Sequence, residues 1–207
     1  MKYPPVANHV GGGAAESGGA HLAVLEPSTG SPISRVSLST ASDVAHAVAA
    51  ARQAFPAWAG TPIKERVQIF FRYKALLERH VDDLAWLIVE ENGKIHSEAV
   101  AEVERAIECA EFACSLPQMA QGEILEVSRG VDCRIDRWPL GVVASITPFN
   151  FPAMIPLWKA APAIACGNAF VLKPSERDPS VPLMLAELML EAGLPAGILN
   201  VVNGDKE

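Results

Sequence analysis

Basic residues are in the minority here: 17 Lys and Arg are scattered among 24 Asp and Glu, for a formal net charge of -7. A nucleic-acid binder needs a clustered cationic face, so no such partner is expected. Long apolar runs are also missing. The most hydrophobic segment, residues 151–166, is interrupted by three prolines and Lys159, and it falls short of the ~20 residues that span a bilayer. No membrane partner is expected. The first twenty residues are polar and glycine-rich with no apolar stretch, which argues against a secretory signal. Cysteine is sparse: Cys109, Cys114, Cys133 and Cys166 form no CxxC pair, and the five His residues make no metal motif. Reduced thiols, a cytoplasmic location and no metal are the expectations.

What is present is a chain of 207 residues, 50% of them hydrophobic, enough for one sizeable core. One stretch organises the rest: residues 141–176, GVVASITPFNFPAMIPLWKAAPAIACGNAFVLKPSE. Residues 141–146 are a short apolar run rich in Val and Ile, read as a buried strand. After the turn Pro148-Phe149-Asn150, Pro152 stands where a first helical position would be, with Asn150 as candidate cap. A helix over 152–166 follows, closed by Gly167-Asn168. Residues 169–173 are a second buried strand, ended by Pro174. Two apolar strands joined by a helix make a right-handed crossover, and ligands of such parallel sheets gather at the carboxyl ends of the strands. Those ends carry Thr147, Phe149 and Asn150 on one strand, and Lys173, Glu176 and Arg177 on the other.

The remaining chain supplies a frame. Residues 1–21 have the composition of a flexible tail, and Gly11-Gly12-Gly13 is not expected to be a phosphate loop, because no strand is expected before it and no helix after it. Residues 22–25 and 33–36 suggest a hairpin. Thr40 with Asp43 opens a helix in the manner of a capping box, and Thr61-Pro62 caps the next, whose Ile63, Val67, Phe70 and Leu77 recur at helical spacing. A third helix over 81–91 ends at Asn92-Gly93, and a fourth runs over 97–116. On the fourth, Glu102, Arg105, Glu108 and Glu111 are spaced as a solvated face with helix-stabilising ion pairs would be. Over 123–138 the pattern alternates around Arg129-Gly130 and reads as a two-stranded arm. A lone hairpin is marginal in water, so the arm is expected to complete itself on a partner subunit. A helix over 180–192 and a strand over 198–202 then form a second crossover.

Ile146-Thr147-Pro148-Phe149-Asn150-Phe151-Pro152, Ala165-Cys166-Gly167-Asn168 and Leu172-Lys173-Pro174-Ser175-Glu176 resemble the signature run of the NAD(P)-dependent aldehyde dehydrogenase superfamily. The form Phe149 to Trp158 is similar to the methylmalonate-semialdehyde dehydrogenases, which acylate coenzyme A, whereas Trp158 to Pro162 looks more like the general aldehyde dehydrogenases. The resemblance implies an α/β fold: a Rossmann-type, three-layer NAD-binding domain with a β-hairpin oligomerisation arm. In it residues 22–122 are the first strands and helices, 123–138 the arm of a dimer or tetramer, and 139–207 the first βαβαβ part of the sheet. It also implies that the catalytic cysteine, the general-base glutamate and the glycine-rich pyrophosphate turn follow the strand near Val202, so this chain is expected to lack a catalytic domain and to be inactive alone.

Aldehyde oxidation needs a thiolate to add to the carbonyl, donors for the oxyanion that forms, and a hydride acceptor. Asn150 is the candidate oxyanion donor, a structural cap being its plainer role. Glu176 suits ribose hydroxyls and repels a 2′-phosphate, favouring NAD over NADP; a surface salt bridge with Lys173 is the alternative. Arg177 is placed beside the adenine or phosphates, and Thr147 and Phe149 on the nicotinamide side. Arg105 matches an arginine that the resemblance assigns to the substrate carboxylate. Cys166 lies at the buried end of a helix and is not expected to be the nucleophile. The substrates implied are a small semialdehyde and coenzyme A. The alternatives are a non-acylating aldehyde dehydrogenase, or a truncated, non-catalytic relative that joins a complete subunit through its arm.

Overall fold

A computed structural model describes residues 1–206. Its first elements, β1 (Asn8–Val10) and β2 (Gly13–Ala15), form a hairpin, which overturns the expectation of a loose tail over 1–21. Gly11 and Gly12 make its turn at φ of 65° and 89°, backbone that glycine adopts without steric cost. The support comes from the far end of the chain: His9 pairs with Val201, and the Asn8 side-chain oxygen accepts from the Asn203 N–H at 2.8 Å. Local composition carries no trace of such a partner.

A second hairpin, β3 (His21–Glu26) and β4 (Ser31–Ser37), follows as expected. Four helices come next: α1 (Ala41–Gly60), α2 (Ile63–Arg79), α3 (Val81–Asn92) and α4 (His96–Met119). The Asp43 carboxylate accepts from the Thr40 N–H at 2.7 Å, fixing the start of α1. Gly93, left-handed at φ 83°, ends α3 and turns the chain sharply into α4. The arm is β5 (Glu123–Ser128) paired antiparallel with β6 (Val131–Ile135), and every residue of both strands is exposed.

The last third is the double crossover: β7 (Val142–Ile146), α5 (Met154–Ala165), β8 (Ala169–Lys173), α6 (Ser180–Glu191) and β9 (Leu199–Val201). The sheet order is β2-β1-β9-β8-β7, with β7, β8 and β9 parallel and the β1-β2 hairpin antiparallel beside β9. β8 is buried along nearly its whole length because it is paired on both sides. β7, expected to be buried, is instead the sheet edge, with Ala144 and Ile146 exposed.

Helices α5 and α6 cover the parallel strands, and α2, α3 and α4 pack outside them. Phe70, Tyr73 and Leu77 of α2 and Leu84 and Ile88 of α3 share one core with Leu157, Ile164, Met189 and Ile198. The two buried polar rings in it are satisfied: the Trp58 indole donates to the Ile164 carbonyl at 2.9 Å and the Tyr73 hydroxyl to the Leu185 carbonyl at 3.0 Å. Among the described residues, no helix is long and apolar enough to cross a membrane.

Candidate functional site

The two strand tips meet as the crossover demands. β7 and β8 run in register from Val142 opposite Ala169 to Ile146 opposite Lys173, and the buried Thr147 adds one more rung, its N–H donating to the Lys173 carbonyl at 3.0 Å. The chain then leaves the sheet at an exposed turn formed by Phe149 and Asn150.

That turn is held from behind by the end of α3. Asn92 Nδ2 donates to the Phe149 carbonyl at 2.6 Å and to the Asp178 carboxylate at 3.0 Å. Lys94 Nζ donates to the Asn150 carbonyl at 2.7 Å, lies 4.2 Å from the centre of the Phe151 ring, and pairs with the Glu102 carboxylate. The other oxygen of Glu102 accepts from the N–H groups of Ala153 and Met154 at 2.9 and 3.4 Å. The start of α5 is therefore capped by a glutamate from α4. Asn150 does not cap it, and Pro152 precedes the helix, which begins at Met154. Glu102 leaves the predicted solvated face as well, since it is only 1% exposed. With its carbonyl fixed, Asn150 keeps an exposed amide side chain.

On the β8 tip, Lys173 Nζ stands 3.2 Å from the Glu176 carboxylate. Partial burial pushes the Glu176 carboxyl up, but its own backbone N–H, Lys173 and Arg177 together hold it below the ordinary range, so it is anionic at neutral pH. The Arg177 guanidinium lies 4.9 Å from the Phe149 ring centre, which ties this tip to the neighbouring one. Phe149, Glu176, Arg177 and Asp178 line one cleft of 480 Å³, whose far wall is Leu22, Leu25 and Pro27 from the β3-β4 hairpin. Two of the acids in its wall are buried. Burial pushes Asp178 up to about 7 despite hydrogen bonds from Asn92 and Ser175. Burial likewise pushes Glu91 up to about 7, although it caps α6 by accepting from the Ser180 N–H at 3.0 Å and from the Ser180 hydroxyl.

Arg105 lies apart from these residues, in a second cleft of 490 Å³ between α4 and α5, lined by Glu108, Cys109, Phe112, Met154, Trp158 and Pro162. Among the described residues no carboxylate lies within ion-pairing distance of it, so the ion-paired face proposed for this helix does not include Arg105. None of the half-buried thiols is activated. Burial pushes Cys109, Cys114 and Cys166 up, and Cys133 is an exposed residue of the arm. Among the described residues there is no cluster of three or more His, Cys, Asp or Glu that could hold a metal ion.

The chain thus brings Thr147, Phe149, Asn150, Lys173, Glu176 and Arg177 to one end of the sheet and sets Arg105 one helix away. Sequence reasoning gave no supporting role to Glu91, Asn92, Lys94, Glu102 or Asp178. A signal existed for one of them: Glu102 falls in the same stripe as the buried Ala99, Val103, Ala106 and Ala110, one face of a 3.6-residue period. Arg105 and Glu108 fall off that stripe.

Comparison with known proteins places the chain in a family. The family model "Aldehyde dehydrogenase family" matches residues 14–207. A malonate-semialdehyde dehydrogenase of Pseudomonas aeruginosa is 53% identical over 188 residues, 89% of this chain and 37% of that protein. Malonate-semialdehyde dehydrogenase 1 of Geobacillus kaustophilus is 50% identical over 202 residues, 97% of this chain and 41% of that protein. The crystal structure of a Sinorhizobium meliloti 1021 protein complexed with NAD, provisionally named a methylmalonate-semialdehyde dehydrogenase, superposes with a TM-score of 0.97 at 46% identity, over 100% of this chain and 42% of that one. The methylmalonate-semialdehyde dehydrogenase of Oceanimonas doudoroffii gives 0.96 at 46% identity, over 99% and 42%. The chain spans about two fifths of the length of these relatives.

Proposed function

The chain belongs to the aldehyde dehydrogenase family, and from that premise we propose that it is the amino-terminal, NAD-binding part of a coenzyme A-acylating semialdehyde dehydrogenase. The substrate is methylmalonate or malonate semialdehyde, and the products are propionyl-CoA or acetyl-CoA, carbon dioxide and NADH. The observation that carries this reading is the shared end of β7 and β8. An exposed amide, Asn150, stands on one tip, and an anionic carboxylate, Glu176, on the next.

The roles follow from chemistry and placement. Glu176 offers acceptors to a pair of ribose hydroxyls and repels an added phosphate; Lys173 orients it. Arg177, whose guanidinium packs on the Phe149 ring, lies where it meets the adenosine end, and it is the backbone of Thr147 and Phe149 that borders the nicotinamide end. NAD supplies the hydride acceptor. When a thiolate adds to the aldehyde, negative charge grows on the carbonyl oxygen, and the Asn150 N–H is a neutral donor that favours that charge without having to reorganise. Arg105, with no ion pair among the described residues, takes the free carboxylate of the semialdehyde in its cleft. Burial disfavours ionisation of Cys109, Cys114 and Cys166, and Cys133 stands on the exposed arm, so this reading assigns the thiolate to none of them. On this reading the 207-residue chain alone is expected to be inactive. The fully exposed arm of β5 and β6 supports a homo-oligomer, and four free cysteines support a reducing, cytoplasmic location.

The test is NADH formation from malonate semialdehyde by the full-length enzyme carrying this sequence, with and without coenzyme A. Turnover that yields an acyl-CoA bears the reading out. Turnover indifferent to coenzyme A, with a free acid as product, would make it a hydrolytic aldehyde dehydrogenase.

A further inference from the structure

One three-residue turn grips two consecutive carbonyls of the turn that bears the proposed oxyanion donor. Asn92 takes the carbonyl of Phe149 at 2.6 Å and Lys94 takes that of Asn150 at 2.7 Å. Gly93 between them is left-handed, at φ 83° and ψ 14°, and a Cβ on it would stand 3.3 Å from Pro27, so the reversal that aims both side chains at one dipeptide suits glycine. Each gripping residue is itself anchored. Asn92 also donates to Asp178, beyond the β8 tip. Lys94 is paired with Glu102, which caps α5 immediately after the turn.

We propose that Asn92 and Lys94 form a positioning bracket that sets the direction of the Asn150 amide and ties it to the Glu176-Arg177 loop. An oxyanion donor acts only when its N–H is aimed at the place where charge develops, and that requires a backbone fixed to a few tenths of an ångström. Asn150 lies on an exposed turn that would be free to re-aim if its two carbonyls were solvated instead of held. The bracket turns a flexible surface turn into a fixed one, and it does so with side chains that have no need to touch the substrate. Through Asp178 the same asparagine links the amide's tip to the tip that carries Glu176, so the spacing between the two ends of the dinucleotide site is set by one residue of α3.

This inference rests on the oxyanion role proposed for Asn150, and the experiment separates the two. In the full-length enzyme, kcat and KM are measured for Asn92→Ala, for Lys94→Met combined with Glu102→Gln so that no unpaired carboxylate is left buried, and for each of these with Asn150→Ala. Asn150→Ala alone should lower kcat by about a hundredfold. Each bracket variant should lower kcat by roughly tenfold with little change in KM for the aldehyde, and should lower it less than about twofold further once Asn150 is gone, since residues that act through one another are not additive. Lys94→Arg should restore most of the rate. Full additivity on the Asn150→Ala background, or wild-type kcat in Asn92→Ala, would overturn the bracket while leaving the oxyanion role in place. An unimpaired Asn150→Ala enzyme would remove that role and the bracket together. If the double variant does not fold, Asn92→Ala decides alone.

Discussion

Lys173 Nζ stands 3.2 Å from the Glu176 carboxylate at the tip of β8, with the two side chains 24% and 30% exposed. A half-solvated pair of this kind contributes little to stability, on the order of 0.5 kcal/mol. Its consequence is orientation: the lysine fixes the acid at the strand tip, where the proposed function puts an adenosine ribose. Replacing Glu176 with Ala in the full-length enzyme should reduce the preference for NAD over NADP by roughly tenfold, read as the ratio of kcat/KM values. An unchanged ratio would move the acid away from the ribose.

Arg105 gives a substrate-specific prediction. Arg105→Leu should raise KM for malonate semialdehyde by about tenfold or more, because a charge-assisted hydrogen bond is lost, and leave propanal almost unaffected. Equal losses for the two aldehydes would take Arg105 out of the substrate cleft.

Glu102 is a stability prediction. It is 1% exposed, neutralises Lys94 and accepts from two N–H groups at the start of α5. Glu102→Ala leaves a partly buried ammonium unpaired and the helix end uncapped, so chemical denaturation should show a loss of about 3 kcal/mol or more. A loss below about 1 kcal/mol would mean that the pair is solvated.

Asp178 and Glu91 fix the sign of a pH dependence. Burial raises both folded-state pKa values to about 7, so between the ordinary carboxylate range and pH 7 the folded chain binds more protons than the unfolded one. Their contribution is fully present below the unfolded pKa values and is lost as pH rises through about 7. The Tm of the parent should therefore fall between pH 5 and about 7.5 relative to that of Asp178→Asn, whose side chain does not titrate. Parallel Tm curves would show that Asp178 is ionised throughout.

Most of the frame was legible because its signals are local. Proline and glycine punctuate the elements, α2 repeats its apolar residues at helical spacing, and β8 is bounded by Asn168 and Pro174; the chemistry-bearing residues at the strand tips followed from that order. What escaped depends on partners distant in sequence. The β1-β2 hairpin is ordered by Asn203 and Val201, and β7 is the edge of its sheet for reasons no local pattern shows. The supporting shell also escaped, because an acid such as Glu102 reads as a surface residue until its place in an apolar stripe is weighed above its charge. Arg105 shows the reverse: its acidic neighbours on α4 suggested ion pairs, and none of them bonds to it.

Whether two neighbouring strand tips hold the two ends of one dinucleotide is read by titrating NAD into the isotope-labelled 207-residue chain and following its amide NMR shifts. Weak, saturable shifts are expected at both tips, residues 147–150 and 173–177, with little change in the arm at 123–138. Saturating shifts confined to one tip or lying elsewhere, or no shifts at millimolar NAD, would contradict that placement.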